Sequence, residues 1–192
     1  MTFTTRRLRA VLITALALSA CSPFPETEDA PGAPNHAEQV GTPAGETILA
    51  AAREVAATAR YATLITLDAD GHPQARIVDP FDLESDFTIW IGTNRRTRKV
   101  AEIARDPRVT LLYFDRDGAS YLTLIGRAAA VDDSTMKAKY WKTEWAPFYP
   151  GGAQGDDYLL IRIQPIRLEV SAERLGIRND PETWRPTIVA FP

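Results

Sequence analysis

The chain has 192 residues, 45% of them hydrophobic, with 25 acidic against 22 basic residues and a formal net charge of −3. A balance this close to neutral offers no broad basic face for displacing counterions, which argues against a nucleic-acid partner. The only cysteine, Cys21, allows no intrachain disulfide, and with only two histidines, His36 and His72, neither a histidine-based metal site nor a Ser-His-Asp triad is expected; no metal is assigned.

At the N-terminus Arg6, Arg7 and Arg9 precede an apolar run over residues 10–20 (AVLITALALSA). Its length suits a signal peptide and is too short to cross a bilayer as a helix. The run ends in Leu18-Ser19-Ala20-Cys21, which resembles the bacterial lipobox. That resemblance implies cleavage of residues 1–20 and a lipid on Cys21, anchoring the protein to a membrane on its periplasmic side. Ser22 after the cysteine, by the same resemblance, implies the outer membrane. An ordinary secretory signal, leaving Cys21 a free thiol, is the alternative. Without the three signal arginines the charge becomes −6; five acids and no base between Cys21 and Glu46 then leave the body near −1. Residues 21–45, with five prolines and few large apolar side chains, read as a flexible tether of roughly 25–30 Å average span.

The body is expected over residues 46–175 as one domain, followed by a C-terminal tail over 176–192. Ile48, Ala52, Val55 and Ala59 recur at helical spacing, predicting a helix over 46–60. Strands are predicted over 61–67 and 74–78, joined by the turn Asp68-Ala69-Asp70-Gly71, and over 87–91. A helix over 97–105 would place Val100, Ile103 and Ala104 on one face and stop at Asp106-Pro107. Strands over 109–114 and 121–131 flank the hairpin turn Asp115-Arg116-Asp117-Gly118. A helix over 134–145, capped by Asp132 or Asp133, and a long strand over 158–170 complete the series. Pro165 marks that last strand as an edge or as bulged. Six strands in hairpin succession with inserted helices predict a mainly β fold, a small antiparallel barrel.

The chemistry concentrates in one place. Thr93-Asn94-Arg95-Arg96-Thr97-Arg98-Lys99 leads into the second predicted helix, with Arg76 in a preceding strand. A helix N-terminus presents unpaired N–H groups and a partial positive charge, and arginine, lysine and threonine add charge and donors, which suits a phosphate. A solvated basic turn is the plainer reading of the same residues. Gly151-Gly152-Ala153-Gln154-Gly155 reads as a surface loop, and the pairs Asp132-Asp133 and Asp156-Asp157 as caps and turns.

The order of Pro73-Gln74-Ala75-Arg76-Ile77-Val78, Ile89-Trp90-Ile91-Gly92-Thr93-Asn94, Thr97-Arg98-Lys99-Val100 and Asp106-Pro107-Arg108-Val109 resembles the pyridoxamine phosphate oxidase-like FMN-binding split barrels. Gly126-Arg127-Ala128 and the aromatic run Trp141, Trp145, Phe148, Tyr149, Pro150, Gly151 are similar to their general stress protein branch. The resemblance spans residues 48–170 and implies a six-stranded antiparallel split β-barrel and a homodimer with two FMN sites at the subunit interface. It implies that Arg76 and Lys99 grip the phosphate with Thr97 and Arg98 beside them. Backbone at Ile77 and Val78 would follow the ring, Thr93 and Asn94 would meet ribityl or phosphate oxygens, and Trp141, Trp145, Phe148 and Tyr149 would close over the flavin of the other subunit or serve packing. Tyr121 stands where pyridoxamine phosphate oxidases carry a glutamine, and their C-terminal arginine and histidine motif is not evident, so vitamin oxidation is not expected.

FMN would supply the redox chemistry, and no side chain stands out as an acid or base. The expected function is a flavin-dependent oxidoreductase with a small redox partner. A non-catalytic flavin-binding protein, or the same barrel holding deazaflavin or haem, is the alternative. Thr5-Arg6-Arg7-Leu8 partly resembles a twin-arginine signal, which would allow export with FMN bound, although Arg9 falls where an apolar residue is usual.

Overall fold

Alternation of side chains sets the sheet. In the computed structural model, which describes residues 38–192, β2 (Ala62–Leu67) buries Ala62, Leu64 and Thr66 and leaves the residues between them half-exposed. The signal peptide, Cys21 and the tether up to residue 37 lie outside the described residues. A two-residue strand β1 (Glu38–Gln39) leads into helix α1 (Pro43–Ala59), where Thr42 accepts from the Gly45 N–H at 3.0 Å and Pro43 occupies the first turn. The helix buries Ile48, Ala52 and Val55 against the sheet. β3 (Pro73–Val78) folds back on β2 through a turn that the Asp68 carboxylate ties by accepting from the N–H groups of Asp70 and His72 and from Gln74.

There follow β4 (Ile89–Asn94), α2 (Arg98–Arg105), the hairpin of β5 (Arg108–Asp115) and β6 (Ser120–Val131), α3 (Ser134–Lys139), β7 (Tyr158–Ser171) and β8 (Thr187–Ala190). β7 is the hub. It pairs with β6 along its length, with β4 through Tyr158–Ile163 and with β8 through Arg167–Val170. The path β4-β7-β6-β5-β2-β3 nearly returns on itself. Between β3 and β4 there is only the bridge Pro80↔Ile91, with the Phe81 N–H donating to the Trp90 carbonyl at 2.9 Å. The barrel is thus split at this seam. Leu64, Leu111, Leu122, Leu124, Ile161, Ile163 and Leu168, each fully buried, fill it, and each contributes about 1.5–3 kcal/mol of burial.

The sheet holds eight strands where six were expected. The six form the split ring; β1 and β8, parallel to one another, extend the sheet beyond β7. Elements of two and four residues are too short to display a period. β4 begins two residues late, because Phe87 takes a positive φ of 64° and the Asp86 carboxylate accepts from the Thr88 N–H and hydroxyl, forming a turn. The third helix ends at Lys139 instead of running to residue 145: the Tyr158 hydroxyl donates to the Tyr140 carbonyl, and a short 3-10 turn, Thr143–Trp145, follows. Asp133 is its cap, accepting from the Met136 N–H at 2.8 Å. On α2 the buried face carries Glu102 and Ile103, and Ala104 is exposed. A bulge opposite Ile125 and Gly126 accommodates Pro165, where a Cβ on Gly126 would lie 2.3 Å from the Gln164 carbonyl oxygen.

Candidate functional site

The split between β3 and β4 opens into a cleft of about 360 Å³, within the range of small-molecule sites. One wall is Ile77, Val78 and Asp79 at the end of β3; the other is Ile91, Gly92, Thr93 and Asn94 on β4. Thr97 and Lys99 close one end, and Trp145, Phe148 and Tyr149 the other side. Ile77 is 68% exposed, so this wall presents a bare aliphatic side chain to whatever enters.

The polar end is built by the turn entering α2. The Asn94 carbonyl accepts from the Thr97 N–H at 3.0 Å and from the Thr97 hydroxyl at 2.8 Å, while the Asn94 side-chain oxygen accepts from the Arg96 N–H at 2.9 Å. Thr97 is the helix cap, yet its hydroxyl faces Thr93 Oγ1 at 3.2 Å and makes no capping bond to the helix N–H groups. The positive end of α2 is therefore uncapped by its own side chain. Lys99 Nζ donates to Thr97 Oγ1 at 3.2 Å and forms no ion pair with a carboxylate among the described residues. Burial, and then the Arg76 guanidinium, lower its pKa from the ordinary 10.5, while Glu102 opposes the shift.

Arg76 stands behind this cradle. Its Nη2 donates to Glu102 Oε2 at 2.7 Å, and Thr66 bridges the two, its hydroxyl donating to Glu102 at 2.6 Å and accepting from Arg76. Burial would raise the Glu102 pKa, but the Thr66 hydroxyl and the Arg76 charge outweigh it and hold the carboxyl below 4.5. Arg95 is engaged elsewhere. It pairs with Asp132, which also accepts from the buried Lys137 at 3.0 Å, and its Nε donates to the Asp156 carbonyl at 2.8 Å. This network pins the turn after β4 to the loop before β7.

The aromatic side depends on a glycine. A Cβ on Gly92 would lie 2.2 Å from Trp145 Cζ3, so the indole lies directly across the strand backbone. Trp145 packs against Phe81, Tyr149 and Tyr158, and Lys142 holds the segment to the cleft wall through Asp79 at 2.8 Å.

Of the residues expected from sequence, Ile77, Val78, Thr93, Asn94, Thr97 and Lys99 meet in this cleft. Arg76 lies behind it in the Glu102 pair, Arg98 is exposed outside its lining, and Trp141 packs on Trp145, Tyr149 and Tyr158 one layer back. Trp145, Phe148 and Tyr149 line the cleft of their own chain. Tyr121 is remote, on β6 beside Phe114. Asp79, Thr66 and Glu102 stand in no local motif; for Glu102 the sequence offers only its place three residues after Lys99, on the same helix face.

Residues 49–173 match the family model described as pyridoxamine 5'-phosphate oxidase like. Among solved structures, general stress protein 26 from Bacillus anthracis aligns with a TM-score of 0.59 at 22% identity, over 77% of this chain and 98% of that one. A protein related to general stress protein 26 from Clostridium acetobutylicum aligns at 0.57 and 19%, over 67% and 89%. A pyridoxamine 5'-phosphate oxidase-related, FMN-binding protein from Nostoc punctiforme aligns at 0.54 and 16%, over 75% and 95%. No curated protein matches the sequence. At these identities the structural likeness carries the fold, and the family model carries membership: the chain belongs to the pyridoxamine 5'-phosphate oxidase-like family.

Proposed function

We propose that the protein binds FMN in the β3–β4 cleft and acts as a flavin-dependent oxidoreductase of the general stress protein type. The observation that carries this reading is Lys99: a half-buried cation with no carboxylate ion pair among the described residues, at the uncapped start of a helix, at one end of a cleft walled by aliphatic and aromatic side chains. Such an end fits a phosphate, and such walls fit a planar ring. Lys99, Thr97 and Thr93 would hold the phosphate, Ile77, Val78 and Gly92 would face the ring, and Trp145 and Tyr149 would cover it and exclude water. When bound, FMN supplies hydride or electron transfer.

A second copy of the chain fits the sheet. By the register of β3, β2, β5 and β6, Ile77, Ile65, Leu112, Phe114, Tyr121 and Ile125 share one outward face. Phe114 is 59% exposed there. We take this face, which includes the cleft residue Ile77, as the homodimer surface. An Ile77→Asp/Phe114→Lys variant should sediment as a monomer where the native chain sediments as a dimer; identical sedimentation would remove this face from the interface. The lipid anchor on Cys21 and a periplasm-facing, outer-membrane location complete the proposal on the sequence evidence alone.

One observation favours the alternative of a flavin-holding protein without turnover. Among the described residues, Asp79, Lys99 and Tyr149 are the titratable ones lining the cleft and no histidine lies there; His72 sits on the β2–β3 turn beside Asp68, which also weakens the haem alternative. The experiment is to purify the protein without added cofactor, identify the bound chromophore, and follow anaerobic NAD(P)H oxidation with a quinone acceptor. Bound FMN with steady turnover supports the oxidoreductase. Bound FMN inert to reductant leaves the holding role. A preparation that neither carries nor takes up FMN removes the flavin reading.

A further inference from the structure

We propose that Glu102 is a positioning residue of the anion cradle, holding the Arg76 guanidinium behind Lys99 so that both cations can serve one phosphate. The inference rests on the flavin reading. Glu102 is 5% exposed, and a carboxylate so deeply buried needs partners. It has two, from two different strands: Thr66 on β2 and Arg76 on β3. Thr66 also accepts from Arg76, so the three side chains close a triangle that ties α2 to the β2–β3 hairpin. The triangle engages one Nη hydrogen on each side of the guanidinium and leaves its remaining N–H donors for another acceptor.

Lys99 lies one turn earlier on the same helix, close enough to Arg76 for the guanidinium to disfavour the charge on Lys99. Two neighbouring, partly desolvated cations repel, and Glu102 supplies the compensating charge that keeps both in place. The groups facing Lys99 are therefore Arg76 from β3 and Glu102 from its own helix, with Thr97 Oγ1 accepting its hydrogen bond and Asp79 in the same cleft lining.

The expected effect of Glu102→Gln is opposite in sign to simple charge counting. Removing a negative charge near an anion site should tighten anion binding if only long-range electrostatics acted. If Glu102 positions Arg76, Glu102→Gln should weaken it.

The test compares FMN with riboflavin, which lacks the phosphate, by flavin-fluorescence titration of the full chain stripped of cofactor. Glu102→Gln should lower FMN affinity about tenfold, the loss expected for a charged hydrogen bond, and leave riboflavin affinity within about twofold. Thr66→Val, which keeps the ion pair and removes its bridge, should shift the same ratio in the same direction by less. In an Arg76→Ala background, Glu102→Gln should no longer lower the ratio. An unchanged or tightened FMN affinity in Glu102→Gln, or equal losses for FMN and riboflavin, would overturn the assignment; if Glu102→Gln fails to fold, Thr66→Val and Arg76→Ala decide it by the same ratio. A native chain that binds neither flavin would instead refute the flavin reading itself.

Discussion

Replacing Gly92 by alanine tests how the aromatic wall of the cleft is built. The new methyl would stand 2.2 Å from Trp145 Cζ3 and 2.7 Å from Cη2, so the indole must retreat by about 1.2 Å to reach ordinary contact at 3.4 Å. The indole is rigid and packs against Phe81, Trp141, Tyr149 and Tyr158, so retreat disturbs every one of these ring contacts. Overpacking of this kind costs about 1–3 kcal/mol. For a domain of this size, about 2 kcal/mol corresponds to a Tm lower by about 4–8 °C. The assay is thermal unfolding followed by circular dichroism, with Gly92→Ala made in the native chain and in Trp145→Ala. With the indole gone, the nearest remaining atom is Tyr158 Cε2 at 3.0 Å, which needs to give by only a few tenths of an ångström. The penalty should then fall below about 0.5 kcal/mol, the rest appearing as coupling between the two sites. An equal penalty in both backgrounds would refute the placement of Trp145 across Gly92.

Lys99 loses its proton below the ordinary lysine value, so FMN affinity should weaken as pH rises through its lowered pKa, short of 10.5. Lys99→Arg should keep affinity flat over that window, since a guanidinium stays charged; titration of both proteins between pH 7 and 10 checks it. Glu102, held below 4.5, contributes stability that is complete above that value and lost as pH falls through its folded pKa. Urea unfolding should therefore show Glu102→Gln less stable than the native chain at pH 7 by about 1–3 kcal/mol, with the gap narrowing in acid. Leu124→Ala, emptying a fully buried site in the barrel, should cost about 2–5 kcal/mol in the same assay and leave the FMN-to-riboflavin ratio unchanged.

The sequence displays its hairpins openly. The turns at Asp68–Gly71 and Asp115–Gly118 and the alternation in β2 and β6 follow from local chemistry, and the structure pairs them in register. Thr93, Asn94, Thr97 and Lys99 are also legible, because a basic run with hydroxyls before an amphipathic helix is itself a local pattern. What is not legible is long-range. Glu102 gains its role only when the fold brings Thr66 and Arg76 to it, and the expected apolar face with Ala104 shifts accordingly. Arg76 alone suggests a direct phosphate ligand; its buried partner becomes visible only in three dimensions. The end of α3 depends on a hydroxyl from Tyr158, eighteen residues away, and β8 gains its place by pairing with the hub strand β7.

The reading turns on whether the β3–β4 cleft holds a flavin by its phosphate through Lys99. Its most direct test is titration of the cofactor-free protein with FMN and riboflavin, for the native chain and for Lys99→Met. FMN should bind at least about a hundredfold tighter than riboflavin in the native chain, the scale of charge-assisted phosphate contacts, and Lys99→Met should cut that preference by about tenfold or more, with Arg76 still in place. Undiminished FMN preference in Lys99→Met would contradict it.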